Sequence, residues 1–223
     1  MIGPRTMIGG VLDLIYPRRC VFCEKFLSRD ETDLCSACWQ EIAATAQPKE
    51  RKGEFFTRCV SVLPYEGKVR DSILRYKFQF HESNCVLYGT LIAAAIEQRY
   101  QGAYDLISWV PVSRRRKRQR GYDQAERIAS VLGRKTRMPV QRTLKKIKNN
   151  KPQSGIADAS QRIANVSGAY QAYHSSRYTG KRILLVDDVL TTGSTLNECA
   201  RILRMAGAAE VLCVTLAATP KKR

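Results

Sequence analysis

The feature that most constrains this chain is an apolar segment that carries two adjacent aspartates and leads into a turn of hydroxyl residues. Residues 183–189 read Ile-Leu-Leu-Val-Asp-Asp-Val, which is typical of a parallel strand buried on both faces. Thr191–Thr195 follow, and a helical pattern runs from Leu196 to Met205. A strand, a tight turn and a helix place the first amides of the helix where an anion can bind. Glycine at position 193 allows the backbone to approach that anion closely.

The two acids of this segment add a second kind of chemistry. Asp187 and Asp188 are predicted to lie at the carboxyl end of the strand. Adjacent carboxylates there can accept hydrogen bonds from a diol or ligate a divalent cation. Phosphate, diol and cation together describe a ribose 5-phosphate. The alternative is an ordinary strand-to-helix turn in which Ser194 caps the helix.

Residues 183–195 resemble the phosphoribosyl pyrophosphate (PRPP) signature of type I phosphoribosyltransferases. That signature has four hydrophobic residues, two acids, a loop similar to Thr-Thr-Gly-x-Thr and a helix, and the match is complete. The resemblance implies that Asp187 and Asp188 hold the ribose hydroxyls, together with Mg²⁺. In an active enzyme, which would transfer a pentosyl group, the same two acids would be catalytic and would stabilise a cationic sugar. The 5-phosphate would be held by the loop residues Thr191, Thr192, Gly193, Ser194 and Thr195.

The cysteines near the amino terminus indicate a metal site. Cys20 and Cys23 form one Cys-x-x-Cys pair, and Cys35 and Cys38 form another, with eleven residues between the pairs. Two such pairs predict a closed, tetrahedral, structural zinc site. Metal binding would supply folding free energy to a segment too small to hold a core. A thioredoxin-like redox pair and uninvolved thiols are the alternatives.

The order of patterns along the chain predicts an α/β fold. We expect a zinc module at 1–50, a polar linker at 47–53 and a phosphoribosyltransferase-like domain at 51–223, with a parallel sheet flanked by helices. The predicted strands are 58–65, 106–112, 140–144, 183–189 and 211–216. The predicted helices are 69–80, 85–100, 124–132 and 196–205. No apolar run is long enough to cross a membrane and no signal-peptide pattern is found, so we expect a cytoplasmic protein.

A run of cations follows the predicted strand at 106–112. Six of the seven residues from Arg114 to Arg120 are basic, and such a run is expected to form a mobile loop at the edge of the binding crevice. In type I phosphoribosyltransferases this position holds a pyrophosphate-binding turn, so the resemblance implies that Ser113 and Arg114 bind PRPP. Arginine suits this ligand because its fork can engage a phosphate with two hydrogen bonds. The alternative is a solvated run of charge.

The net charge of +18, from 38 basic and 20 acidic residues, predicts a polyanionic partner. Nucleic acid is the natural candidate, and anionic lipid or PRPP alone are alternatives. Several aromatic residues can stack on unpaired bases, although a core position is expected for most of them: Tyr16, Trp39, Tyr76, Phe78 and Phe80. The candidate nucleic-acid-binding residues are Arg115, Arg116, Lys117, Arg118 and Arg120.

Further motifs resemble the ComF family of bacterial competence-associated proteins. These are the cysteine pairs, 76–78, 110–111, 120–124, 153–155 and 162–170, which occur in the family's order over nearly the whole chain. The resemblance implies a role in natural transformation, with single-stranded DNA and a competence helicase or other DNA-uptake proteins as partners. It adds as candidate pocket residues Lys77, Gln153, Ser154, Arg162 and Asn165. A conventional phosphoribosyltransferase for a base or amine, and a non-catalytic binder regulated by PRPP, remain alternatives.

Overall fold

The computed structural model describes residues 17–148 and 167–220. The chain divides into two compact units, Met1–Thr45 and Ala46–Arg223. In the first unit, Arg19 and Phe26 form an antiparallel bridge on either side of the first cysteine pair. Helix α1 (Ser36–Thr45) begins within the second cysteine pair and buries Cys38 and Ile42.

The second unit is built on a mostly parallel sheet. Its strands are β1 (Lys49–Arg51), β2 (Cys59–Pro64), β3 (Leu106–Trp109), β6 (Arg182–Leu190) and β7 (Glu210–Ala218). They lie in the order β1-β2-β7-β6-β3. Strand β1 is antiparallel to β2, and the other three pairings are parallel. Strands β4 (Leu144–Lys146) and β5 (Tyr170–Ala172) form a separate antiparallel pair. This arrangement confirms the predicted fold class.

Helices cover both faces of this sheet. They are α2 (Gly67–Phe78), α3 (Cys85–Ile96), α4 (Arg114–Arg120), α5 (Gln124–Thr136) and α6 (Ser194–Met205), with 3₁₀ turns at Glu82–Asn84 and Ser175–Arg177. Helix α3 packs on α5 so closely that a Cβ at Gly89 would lie 2.6 Å from a side-chain carbon of Val131. Helix α6 packs on β5, β6 and β7. In the part of the chain that the structure describes, no helix is long and apolar enough to span a membrane.

Strand β6 is buried on both faces, as its sequence predicts. Ile183 and Leu185 belong to a core cluster that includes Leu203 of α6. Leu184 and Val186 are equally inaccessible to solvent, and side chains alternate across a strand. The opposite face of β6 is therefore covered as well, and α5 packs against this strand. The two aspartates that follow are held by a strand that cannot shift without disturbing both layers.

The structure corrects three of the predicted elements. The basic run is helix α4 and not a loop, because Ser113 caps it by accepting a hydrogen bond from the Arg116 amide at 3.3 Å. Arginine and lysine are good helix formers, and no residue of α4 is buried, so the helix lies at the surface. The predicted linker contains β1, which pairs with β2. The strand predicted at 140–144 is Leu144–Lys146 instead, and Val140 makes only an isolated bridge to Ile107.

Candidate functional site

The two aspartates lie near the carboxyl end of β6 and face opposite sides of the sheet. Asp187 is opposite Thr215 of β7, and its Oδ1 accepts a hydrogen bond from the Asp188 amide at 2.8 Å. Because successive side chains of a strand alternate, Asp188 points the other way. There its Oδ1 is 2.8 Å from Nζ of Lys77 on α2. Lys77, a predicted pocket residue, therefore contacts one of the predicted acids.

The electrostatics around Asp187 favour a positively charged or hydrogen-bond-donating ligand. Shielding from water and the negative charge of Asp188 raise the pKa of Asp187 well above its usual range, although the Asp188 amide and Lys77 oppose this effect. A cation or a pair of hydroxyl donors at this position would stabilise the charged carboxylate. This is the chemistry predicted for ribose hydroxyls and Mg²⁺.

The loop between β6 and α6 has the geometry of an anion-binding turn. Gly193 occupies the N-cap position with φ of 89°, a left-handed conformation that favours glycine. Ser194 is the first residue of α6, and its hydroxyl lies 2.8 Å from that of Thr192. The alternative in which Ser194 caps the helix is therefore wrong. The first amides of a helix have no acceptors within the helix, and hydroxyl groups surround them here.

Arg51 holds this loop from its carbonyl side. Its guanidinium donates to the Thr191 carbonyl at 3.1 Å and to the Thr219 carbonyl at 2.7 Å. The Thr219 hydroxyl also donates to the Thr191 carbonyl at 3.3 Å. Arg51 could not be predicted as a site residue, because nothing in a short polar segment indicates a contact across 140 residues of chain.

The segment after β3 is fixed beside the aspartates. The Val110 amide donates to the Val186 carbonyl at 2.9 Å, and the Val112 amide donates to Asp123 Oδ2 at 2.9 Å. Asp123 also caps α5, and burial raises its pKa to about 6. Ser113 is buried, whereas Arg114 is exposed. The proposed pyrophosphate turn therefore has a rigid base, and the binding role of these two residues remains a prediction.

A lysine that sequence analysis did not single out lies in the same electrostatic neighbourhood. Lys146 on β4 faces Tyr170 on β5, and its Nζ is 3.0 Å from the tyrosine hydroxyl. Burial lowers the pKa of Lys146 to about 8; the positive charge of Arg116 acts in the same direction, and the negative charge of Asp187 opposes it. No local pattern in the sequence could indicate this contact, because the register of β4 and β5 creates it.

Helix α4 presents its cations unequally. Arg114, Arg115 and Arg118 are exposed, whereas the Lys117 ammonium is 2.7 Å from a Glu126 carboxylate oxygen. Arg120 donates to Gln124 Oε1 at 2.8 Å. The predicted nucleic-acid-binding residues thus include strongly solvated arginines and two cations already engaged within the fold.

The aromatic residues proposed for stacking divide between core and surface. Tyr76 is completely buried, as expected for a core residue. The core position expected for most of these residues is wrong for Trp39, Phe78 and Phe80, which are 56%, 62% and 68% exposed. Several predicted residues lie outside the described part of the chain: Tyr16, Gln153, Ser154, Arg162 and Asn165.

The four cysteines of the first unit meet as a zinc site requires. Their Sγ atoms all lie within 4.8 Å of one another, and those of Cys23 and Cys35 are 3.6 Å apart. Zn–S bonds of about 2.3 Å in a tetrahedron place sulfur atoms about 3.8 Å apart, so the residues fit the ion. Glu31 supports the second pair by accepting hydrogen bonds from the Ser36 amide at 2.6 Å and the Ser36 hydroxyl at 2.8 Å.

Comparison with known proteins agrees with this description. Residues 11–52 match the double zinc ribbon domain, and residues 118–223 match the phosphoribosyl transferase domain. Competence protein F of Haemophilus influenzae is 27% identical over 215 residues, covering 86% of this chain and 93% of that protein. Competence protein ComFC of Bacillus subtilis is 25% identical over 206 residues, covering 88% and 82%. The DNA utilization protein YhgH of Escherichia coli K12 is 27% identical over 208 residues, covering 88% and 90%.

A solved structure of glutamine PRPP amidotransferase from Bacillus subtilis also aligns with this chain. The alignment has a TM-score of 0.44 and 20% identity, and covers 63% of this chain and 30% of that one.

Fold and site together define the class: a type I phosphoribosyltransferase-like α/β protein with an amino-terminal four-cysteine zinc ribbon. Within that class, the chain is a homologue of competence protein F and ComFC over most of its length. The predicted resemblance to the ComF family is confirmed.

Proposed function

We propose that the second unit binds PRPP with Mg²⁺, and that the protein handles single-stranded DNA in the cytoplasm during natural transformation. The observation that carries the first part is the placement of Asp187 and Asp188 near the end of β6, two residues before the strand gives way to the loop that begins α6. In open parallel sheets, ligands bind outside the carboxyl ends of the strands.

The ligand fits this site group by group. The loop 191–195 offers hydroxyls and helix amides to the 5-phosphate. Asp187 and Asp188, one on each face of β6, would accept hydrogen bonds from the ribose hydroxyls at the carboxyl edge of the sheet, and Ser113 and Arg114 would face the pyrophosphate. When bound, Mg²⁺ would neutralise part of the pyrophosphate charge. Lys77 balances the charge of Asp188, from which it is 2.8 Å away.

The DNA role is supported by charge and by the names of the relatives. The net charge of +18 creates a field that attracts polyanions, and exposed arginines concentrate it on α4. Of the three relatives named above, two are competence proteins and one is a DNA utilization protein. A competence helicase or another DNA-uptake protein is the partner that this context favours.

Calorimetric titration of PRPP with Mg²⁺ tests the ribose-phosphate site. The variant Asp187→Asn/Asp188→Asn preserves shape and removes charge, so we expect PRPP affinity to fall at least about tenfold. The control is Asp71→Asn, since Asp71 is an exposed acid on α2 whose side chain is 58% accessible. Unchanged PRPP affinity in the double variant would show that the acids are structural.

Release of pyrophosphate separates catalysis from binding. Purified protein is incubated with PRPP, Mg²⁺ and, in turn, single-stranded DNA, free bases and amines. Release with a free base or amine would favour a conventional phosphoribosyltransferase over the competence role. Tight PRPP binding without release would favour a binder that PRPP regulates.

The salt dependence of DNA binding tests the electrostatic part of the proposal. Neutralising phosphates releases counterions, so affinity for single-stranded DNA must fall steeply as salt rises. A flat dependence, or no binding at low salt, would contradict DNA handling through the basic surface.

A further inference from the structure

Two phenylalanines stand out on the surface of the second unit. Phe78 ends α2, and Phe80 follows it two residues later; their side chains are 62% and 68% exposed. Every other aromatic residue of this unit within the described ranges is buried or half-buried. Because the core encloses almost all the other rings, an exposed aromatic pair is unusual. Their exposure makes both side chains available to a ligand.

The two rings are held in place without being packed into the core. The Arg120 guanidinium carbon lies 4.9 Å from the centroid of the Phe78 ring, within the range of a cation–π contact. Phe80 has φ of 58°, a left-handed conformation that is rare for a bulky residue. Its ring lies beside Gly121, where a Cβ would be 3.6 Å from it. Strained backbone that presents an exposed ring suggests a binding role.

These rings border the ribose-phosphate site and helix α4. Lys77, which precedes Phe78 in sequence, is paired with Asp188 at 2.8 Å. Arg120 ends α4, whose Arg115 and Arg118 are exposed. Arg120 therefore connects the exposed rings to α4, the helix that carries the exposed arginines. That combination is what single-stranded nucleic acid requires, since bases stack on aromatic rings while the backbone follows positive charge.

We propose that Phe78, Phe80 and Arg120 form a stacking surface for unpaired bases of single-stranded DNA, with the arginines of α4 along its phosphates. The inference rests on the proposed DNA function and locates it on the molecule. A free nucleobase is a poorer match, because small-ligand sites enclose most of their ligand and these rings are open. Single-stranded DNA, in contrast, gains binding free energy from each base that stacks on a ring.

The test compares two oligonucleotides of equal length, one of thymidine and one abasic, by fluorescence anisotropy. We expect Phe78→Ala/Phe80→Ala to lower affinity for the thymidine strand by roughly tenfold or more, with little effect on the abasic strand. Phe78→Tyr/Phe80→Tyr keeps both π faces and should retain the preference for bases. Phe78→Leu/Phe80→Leu keeps apolar bulk without π faces and should lose the preference for bases. This variant keeps the test valid if the alanine variant is unstable.

The chain offers a matched control in the zinc ribbon. Phe26 is also 62% exposed, and the Arg19 guanidinium carbon lies 4.3 Å from its ring centroid. Phe26→Ala removes an equivalent ring elsewhere and should leave base preference unchanged. Loss of that preference in Phe26→Ala, but not in the Phe78/Phe80 variants, would overturn the assignment.

Salt titration distinguishes failure of this inference from failure of the DNA function. Removing rings should leave the salt slope unchanged, whereas Arg115→Ala/Arg118→Ala should reduce it by about 0.7 for each DNA phosphate that is no longer neutralised. One outcome is that the affinity of the wild type for DNA falls steeply as salt rises and the ring variants bind equally well. The stacking surface is then wrong, and the DNA-binding function stands. If the wild type shows no binding or no salt dependence, the DNA function itself fails.

Discussion

The ammonium group of Lys77 lies 2.8 Å from Oδ1 of Asp188, and the two side chains are only 19% and 13% exposed. The pair joins the last turn of α2 to β6, near the carboxyl end of that strand. It also places a positive charge beside two neighbouring carboxylates, in a position largely protected from water. Lys77 is therefore part of the candidate site and not a surface lysine.

Replacing Lys77 by methionine should weaken both the fold and the site. Removing one partner of a shielded ion pair leaves a charge uncompensated, so we expect the free energy of unfolding to fall by about 1–3 kcal/mol at neutral pH. PRPP affinity should fall with it, and added Mg²⁺ should restore part of the lost stability. Urea unfolding with and without Mg²⁺ measures the change in the free energy of unfolding, and calorimetric titration measures the PRPP affinity. Lys135→Met, an exposed lysine at the end of α5, is the control, and equal losses in both variants would contradict the role of Lys77.

The elements that could be predicted are those that local pattern determines. Strand β6 is evident from its apolar run, and the zinc site from the spacing of its four cysteines, and both have the predicted form. The contacts that could not be predicted depend on pairing between distant segments. Arg51 reaches Thr191 only because β1 joins the edge of the sheet, and Lys146 meets Tyr170 only through strand register.

Helix α4 shows why charge pattern alone misled the prediction. Like charges in sequence suggest mutual repulsion and a loop. A short helix distributes them around its axis, and Ser113 at one end and Gly121, with φ of 77°, at the other define its limits. The capping residues indicate a helix, but the prediction of a loop relied on the density of charge alone.

Gly193→Ala should impair the phosphate loop without a steric clash. A Cβ there would meet Leu190 at 3.5 Å, an ordinary contact, but φ is 89°, and a left-handed conformation costs a side chain roughly 1–2 kcal/mol. We expect the loop amides to rearrange and PRPP affinity to fall by about tenfold. Calorimetric titration measures the affinity. Gly180→Ala, at φ of 73° with open space around it, carries the same backbone cost away from the loop and should keep full PRPP affinity.

Removal of zinc should unfold the first unit and spare the second. The four thiolates supply much of what holds residues 17–45 together, whereas the second unit has its own core. We expect a strong chelator, or Cys38→Ser, to remove the metal and the helical signal of α1. Cooperative unfolding of the second unit should remain. Metal content by mass spectrometry and circular dichroism check this, with Cys85→Ser, a thiol outside the cluster, as the control. Full zinc occupancy in Cys38→Ser would contradict a four-thiolate site.

The buried carboxyl of Asp123 should make stability depend on pH in a defined direction. Its pKa is raised by burial from 3.8 to about 6, so the folded state retains the proton longer than the unfolded state does. Stability contributed by this group is therefore present below pH 4 and is lost as pH rises to about 6, by on the order of 3 kcal/mol. Urea unfolding across this pH range measures the free energy of unfolding of wild type and Asp123→Asn. The difference between the two free energies should change by the same amount, about 3 kcal/mol. Asp71→Asn, an exposed acid, should track the wild type, and a constant difference for Asp123→Asn would show that folding does not perturb this carboxyl.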